Sequence, residues 1–598
     1  MKVIALDLET TGLDPRTDKV RLAQIYDGSE VKIHDVFETP ETMDYLVRLV
    51  EDSNICVVGH NLKFDLSFIR AHAGRRLYSN NIHDTLLAEQ VLMAGWYQPY
   101  FDVKHGELKK RYPEYSLQAL VQRHLGFKLE KDMQRSNWGS AELTKEQLIY
   151  AARDVEVLLP LYEIQKKLLD MNQLTHIAEL EFQTVNPIVE IEYHGMGFDW
   201  PAAERLRETK LHELEQARQE LESEARGRQK SKQLTLFGSD AGVDINFRSP
   251  IQITKYIKDK LGLDVDSSDV ETLKGIDHPF AAKLLKFRGI EKQIQFIKQF
   301  EEFGGRSGRL YPYYNQCRAA TGRMSSARPN GQQIPKRGEG KVFRTLFRAM
   351  GGHKLVKVDF SAIEMRVMAR LAQDRAMMDA IITGTDLHKL TASKTSNKEM
   401  DQVTKDDRQK AKAVNFGLIY GMSAPTLKKY AWFNYGVRMT EQEAEDTRNA
   451  FFNLYKGIAK WHIQEKRHLS LLEPYYQHKA NEGFVELAVS TQRTLLGRKR
   501  FWPSYSGETQ AKPTEFYNSS DQGTSADITK LSLVRLYTEL PEAAHIVGAV
   551  HDEIIVECPE TIAEDISQLM LKVMREEGSR VLAPVPVDAE AVISETWG

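Results

Sequence analysis

KLVKVDFSAIEMR, residues 354–366, places Asp359 at the end of an apolar strand, where a carboxylate can face a cleft. GAVHDEIIVEC, residues 548–558, sets His551, Asp552 and Glu553 between two apolar runs, the pattern of a strand–turn–strand hairpin. The two aspartates are distant in sequence, yet neighbouring strands of one sheet would bring them together. A carboxylate pair holding two metal ions is what in-line phosphoryl transfer needs.

Between them lies TKDDRQKAKAVNFGLIYG, residues 404–421. Thr404 with Asp407 makes a capping-box-like start, and Gly421 is a plausible stop. Arg408, Lys412, Phe416 and Tyr420 recur every four residues and form one stripe that drifts by only ~40° per step. Two cations and two aromatics on one face suit a triphosphate with a sugar and base stacked beyond it. Without the two aspartates, a helix with core aromatics and solvated cations would be the simpler reading.

The N-terminal end carries a second set of acids. In VIALDLE, Asp7 and Glu9 lie two apart on a strand and so share a face. Asp65 follows Asn61 by four, and Asp154 follows Tyr150 by four, each pair on an expected helical face. Four converging acids repel unless cations sit between them, and hard oxygen ligands suit Mg²⁺ or Mn²⁺. Tyr150 could orient an attacking water. Singly, each acid reads as a surface residue; the ordered set D-x-E, N-x-x-x-D, Y-x-x-x-D does not.

Composition bounds the alternatives. The chain has 598 residues, 41% hydrophobic and 28% charged, and a formal net charge of −3, an ordinary globular balance that predicts about four domains. Cys56, Cys317 and Cys558 are too few and too scattered for a disulfide framework and fit a reducing compartment. No signal peptide and no membrane span is expected, and the absence of a G-x-x-x-x-G-K-[ST] loop argues against a helicase motor.

Basic residues nevertheless gather in three places. These are Arg318, Arg323, Arg328, Lys336, Arg337, Lys341, Arg344 and Arg348; then Lys405, Arg408, Lys410 and Lys412; then Arg493, Arg498, Lys499 and Arg500. One such run is ordinarily a solvated face, whereas three in one half predict a surface that tracks phosphates.

These motifs carry a close resemblance. DFSAIEMR, RQKAKAVNFGLIYG and VHDE stand in the order of the three motifs of family A DNA polymerases. TGRMSSARPNGQQIP, DLHKLTA, TLLGRKR and NSSDQGTSAD resemble further signatures of that family. The N-terminal set resembles four-carboxylate proofreading 3′→5′ exonucleases, in the subgroup with a tyrosine before the last aspartate. The match covers essentially the whole chain and has the Klenow-type organisation of bacterial members, with no 5′ nuclease domain expected ahead of it.

The resemblance implies a multidomain α/β and α+β fold, with an RNase H-like exonuclease domain over 1–174 and a right-hand polymerase domain over 175–598. The thumb falls at about 195–305, the palm at about 306–365 and 510–598, and the fingers at about 366–509. It implies a template-directed DNA polymerase that edits its product in replication or repair, with two Mg²⁺ per active site and primer-template DNA and dNTPs as partners. It further implies a monomer in the cytoplasm (nucleoid) of a bacterium or virus-infected cell, or in an organelle matrix.

By the same resemblance, Asp359, the Phe360 carbonyl and Asp552 are metal ligands, as are Asp7, Glu9, Asp65 and Asp154. Arg408, Lys412 and His388 grip the triphosphate, and Lys412 also protonates departing pyrophosphate. Glu364 lies at the ribose 2′-OH gate with Tyr420 as its packing partner, and Phe416 is where Phe disfavours dideoxynucleotides. Arg323, Gln332, Arg337, Asn518, Gln522 and His551 contact primer, template or the minor groove, and Glu553 is the less essential acid. Ala362, Gly331, Gln333 and Thr514 depart from the family's usual Gln, Leu, Asn and Arg, which bears on fidelity and template grip.

Gln233–Phe237, QLTLF, lies in a polar loop expected at the tip of two helices and resembles the short segment that binds a sliding clamp, although local packing of LTLF is an equal reading. Two rival classes fit the sequence less well. A single-subunit RNA polymerase-like enzyme is disfavoured by Glu364 and the attached editing motifs, and a non-catalytic DNA-binding relative by the intact carboxylates.

Overall fold

The computed structural model describes residues 1–79, 81–103, 106–130, 136–226, 245–304, 308–336, 340–505, 508–509 and 511–598. Arg337 and Gln233–Phe237 lie outside the described residues, as does the loop expected at the helix tip.

The N-terminal sheet has five strands, β1 (Lys2–Thr10), β2 (Val20–Tyr26), β3 (Val31–Asp35), β4 (Ile55–Gly59) and β5 (Ile82–Asp84), in the order β3-β2-β1-β4-β5. β1 pairs antiparallel with β2 and parallel with β4. Both faces of β1 are covered, which explains its nearly unbroken apolar run. Ile4, Leu6 and Leu8 pack on one side with Leu66 and Ile69 of α1 (Lys63–Ala73). On the other side Ala5 packs with Val155 of α2 (Lys145–Glu156). Asp7 and Glu9 continue this second face, towards the helix that carries Asp154.

The apolar periodicity over 143–170 predicts one helix, but there are two, Lys145–Glu156 and Leu158–Met171. Pro160 lacks the N–H that would bond back to Glu156, so the ladder is interrupted there. The capping box of Thr144 and Gln147 forms as expected.

The helix α3 (Thr175–His194) leads into the polymerase half. Beyond it, the long helices Trp200–Arg226 and Pro279–Phe303 form a pair around Leu221, Phe280, Leu284 and Ile290. A four-stranded antiparallel sheet follows, from β6 (His353–Phe360), β7 (His545–Val550), β8 (Glu553–Pro559) and β9 (Ala589–Ser594), in the order β7-β8-β6-β9. Asp359 stands opposite Glu553 in its register.

Between β6 and β7 run the helices α4 (Ile363–Ala372), α5 (Leu387–Ser396), α6 (Lys405–Leu418) and α7 (Pro513–Glu539), with further helices and a four-stranded antiparallel sheet. α7 and α8 (Ala563–Leu582) bury Leu533, Leu536, Met570 and Val573 against Val356, Val358, Ile554 and Val556 of the sheet.

One basic cluster corrects its expected role. Arg498 is only 3% exposed and bonds Asp527 of α7 at 2.7 Å and Glu181 of α3 at 2.5 Å, while Lys530 bonds Glu181 at 2.5 Å. Lys499 is buried, and Arg493 and Arg500 pair with Glu473 and Glu515. These cations are internal counter-ions joining elements within the polymerase half, because a buried guanidinium must be matched by buried acids.

Candidate active sites

The four N-terminal acids meet. Asp7 and Glu9 project from β1, Asp65 comes from the first turn of α1 and Asp154 from the last turn of α2. Asp65 also accepts a hydrogen bond from the Leu8 amide at 3.1 Å, which fixes helix to strand. Burial, then the charge of Asp154, pushes the Asp7 carboxyl up to about 8; burial, then Asp7, Asp154 and Asp65, pushes Glu9 up to about 10. Burial and Asp7 likewise raise Asp65. Among the described residues, the charges acting on Glu9 are the carboxylates Asp7, Asp154 and Asp65, so the pocket is matched to cations with hard oxygen preference.

Tyr150 hydrogen-bonds Asp154, and burial with the nearby acids keeps its hydroxyl protonated. Asn61 is off the expected helix: it adopts φ 61° two residues before α1 begins, and its amide bonds the Asp84 carboxylate at 3.1 Å. Asp84, for which the sequence reading had no role, accepts from four backbone amides and so shapes the β4–α1 loop.

The cleft beside these acids, about 590 Å³, is lined by Asp7, Tyr150 and Asp154 and closed by Tyr313, Asn315 and Arg318 of the polymerase half. The link is Lys63, whose ammonium bonds Glu192 at 2.6 Å and the Tyr314 carbonyl at 2.7 Å.

In the C-terminal sheet, β6 delivers Asp359, and the two-residue turn between β7 and β8 delivers Asp552. The Phe360 amide donates to the Asp552 carbonyl at 3.3 Å, which docks the turn against the strand end. Burial, then the Asp359 charge, pushes the Asp552 carboxyl up to about 7. Asp359 Oδ1 is buried with no hydrogen-bond partner, so an oxygen is left for an incoming cation. Its other oxygen contacts the Lys336 ammonium, which also lies 3.4 Å from Glu553.

Glu553, opposite Asp359 in register, shares Lys336 with it, accepts from the Trp597 indole at 2.6 Å and lies 3.7 Å from Arg344. His551 sits in the turn at φ 57°, and desolvation with Arg323 and Arg344 nearby lowers its ring.

α6 presents Arg408, Lys412 and Phe416 on one face, and its capping box forms. Arg408 bonds Asp386 at 2.8 Å, and the Phe416 and His388 rings are 5.9 Å apart. His388 on α5 is pushed down to about 4 by burial, with Arg408 and Lys412 adding to the effect. Asn415 donates to its Nδ1 at 2.8 Å.

Tyr420 lies beyond the end of α6 rather than on its stripe, because the helix stops at Leu418. Its hydroxyl lies 3.1 Å from Glu364 Oε2 and 2.6 Å from Asp521 Oδ2, and Arg323 bonds Glu364 Oε1 at 2.8 Å. Gln332 donates to the Ala549 carbonyl at 3.2 Å. Asn518, with a buried unpartnered Oδ1, and Gln522 share one face of α7.

A strand-end aspartate pair beside a cation-lined helix, joined to a separate acidic editing pocket, is the arrangement of a DNA polymerase that carries its own exonuclease. Residues 212–598 match DNA polymerase family A and residues 1–170 match the 3′-5′ exonuclease family, and the chain belongs to DNA polymerase family A.

It is 32% identical to the DNA polymerase I of Aquifex aeolicus (strain VF5) over 99% of this chain and 95% of that one. It is 29% identical to the DNA polymerase I of Pseudomonas aeruginosa, spanning 63% of its length. In fold it is similar to the structure described as the POL domain of Pol1 from M. smegmatis in complex with DNA primer-template and dNTP. There the TM-score is 0.77 at 22% identity, over 99% of this chain and 95% of that one. Among the described residues no helix is long and apolar enough to cross a membrane.

Proposed function

We propose that Asp359 and Asp552 form the polymerising centre and that Asp7, Glu9, Asp65 and Asp154 form the editing centre. The observation that supports this most directly is the meeting of each carboxylate set in its own half-buried pocket. Mg²⁺, or Mn²⁺ in its place, suits both donor sets and would supply charge neutralisation at the phosphorus and a more nucleophilic attacking oxygen. Asp359, the Phe360 carbonyl and Asp552 would hold it in one pocket, and the four N-terminal acids in the other.

The remaining roles belong to the chain's own groups. Arg408, Lys412 and His388 hold the triphosphate of an incoming dNTP, and Lys412 hands a proton to the departing pyrophosphate. Phe416 stacks on the nucleotide, while Glu364 with Tyr420 closes against the ribose 2′ carbon. Arg323, Gln332, Arg337, Asn518, Gln522 and His551 line the path of primer and template, and Tyr150 orients the attacking water in editing. Glu553 braces the sheet through Trp597 rather than entering the chemistry.

The domain limits near 174, 195–305, 306–365 with 510–598, and 366–509 follow the same reading, as does a bacterial cytoplasmic setting. Gln233–Phe237 is the segment offered to a sliding clamp; deletion of these five residues should abolish clamp-stimulated synthesis and spare unstimulated synthesis.

The test is a double dissociation. Asp359→Ala should lower primer extension by about 10²–10³-fold or more while digestion of single strands continues, and Asp7→Ala should do the reverse. Loss of both activities in either variant, or of neither, would refute the assignment.

A further inference from the structure

Asp521 lies mid-helix on α7, fully buried, in the stretch NSSDQG where the motif reading gave it no role. Its Oδ2 is 2.6 Å from the Tyr420 hydroxyl and its Oδ1 has no hydrogen-bond partner. The same hydroxyl is 3.1 Å from Glu364, whose other oxygen accepts from Arg323. A tyrosine hydroxyl has one proton and can donate to only one of two carboxyl groups.

Glu364 has the Arg323 guanidinium beside it and is partly open to solvent, whereas Asp521 is fully buried. Asp521 forms no ion pair among the described residues. The charges facing it are Glu364 from α4 and, at longer range, Arg323 from the segment before Ser325; Tyr420 is its polar neighbour. Tyr430, His551 and Asp552 act on Glu364 from the far side. Burial and the Glu364 charge hold the Asp521 carboxyl well above the ordinary carboxylate range.

We propose that Asp521 is a positioning residue for sugar selection: as a neutral acid it donates to the Tyr420 oxygen, Tyr420 then donates to Glu364, and the chain Asp521–Tyr420–Glu364–Arg323 holds Glu364 against the ribose. Ionised Asp521 would instead attract the Tyr420 proton, leaving Glu364 held by Arg323 alone. The inference rests on the reading of Glu364 as the 2′-hydroxyl gate.

The experiment uses the full chain carrying Asp7→Ala, so that editing does not erase misincorporation. It measures the ratio of dATP to ATP incorporation opposite template T from about pH 6.5 to about pH 9.5. Glu364→Ala should lower the ratio at every pH; if it does not, the gate reading itself fails and the proposal falls with it.

Given that effect, Asp521→Leu, which can neither donate nor accept, should lower the ratio by about tenfold or more at every pH. Asp521→Asn keeps a donor at the same place and cannot ionise, so it should restore the ratio that Asp521→Leu loses. Isotope-edited infrared spectra should show a protonated carboxyl carbonyl in the parent that Asp521→Asn lacks. A normal ratio in folded Asp521→Leu, a ratio in Asp521→Asn as low as that in Asp521→Leu, or no protonated carboxyl band would each overturn the proposal while leaving the gate intact.

Discussion

The two acidic pockets use the same functional group under opposite electrostatic conditions. At the end of β1 four carboxylates face one another, and among the described residues the charges acting on Glu9 are negative. At the end of β6 the aspartate pair comes with its own cation, Lys336, which touches Asp359 and draws the Asp552 carboxyl down against burial. The first pocket therefore depends more heavily on imported positive charge, whereas the second is partly neutralised before any cation arrives. Folding a like-charged cluster costs stability that only bound cations or protons recover.

The sharpest way to break this contrast is Glu9→Gln. Digestion of single strands should fall by about 10²-fold or more. The folded pKa of about 10 lies above the ordinary 4.5, so the stabilising effect of the neutral form is present below pH 4.5 and lost as pH rises towards 10. The amide escapes that loss. In metal-free protein at pH 8, Glu9→Gln should melt a few degrees above the parent, and the difference should vanish below pH 4.5 by calorimetry.

A second consequence is a separation of metal dependence by pH. Protons compete with cations for these oxygens, beginning near 10 and 8 for Glu9 and Asp7 but near 7 for Asp552. The Mg²⁺ concentration for half-maximal digestion should rise by about tenfold per pH unit below pH 8, before that for extension does. Parallel titrations of both activities with coincident curves would remove the distinction.

Lys336→Met should make the second pocket behave more like the first. Without the ammonium the Asp552 carboxyl rises further above 7, so more proton is released on metal binding at pH 7. Calorimetric titration in buffers of different ionisation enthalpy reads that proton directly; unchanged release would discount Lys336 as a built-in counter-ion.

The smallest effect on activity is expected at Trp597→Phe, which strips the buried Glu553 of its indole donor. Stability in denaturant should fall by about 1–3 kcal/mol, with extension altered by less than about threefold. A large loss of extension would return Glu553 to the chemistry.

Local signals gave the backbone of both sites. The D-x-E spacing on β1, the hairpin around Asp552 and the capping boxes at Thr144 and Thr404 all depend on neighbours within a few residues, and all form. Periodicity went wrong where a local break outweighed it. Pro160 divides one expected helix, Asn61 is held before α1 by Asp84, and Tyr420 falls past the end of α6. The run Arg493–Arg500 resembles a phosphate-binding surface in sequence, and only the distant Glu181 and Asp527 turn Arg498 inward.

The sequence by itself determined which side chains could carry phosphoryl chemistry and on which strand ends and helix faces they stand, because those patterns repeat with the period of the backbone. Tertiary structure alone decided which partner each acid meets: Lys336 reaches Asp359 as a counter-ion, the Trp597 indole donates to Glu553, and Asp521 meets the Tyr420 hydroxyl across segments far apart in the chain. Charge state is set by burial and by neighbours brought from a distance, and neither is written in local spacing.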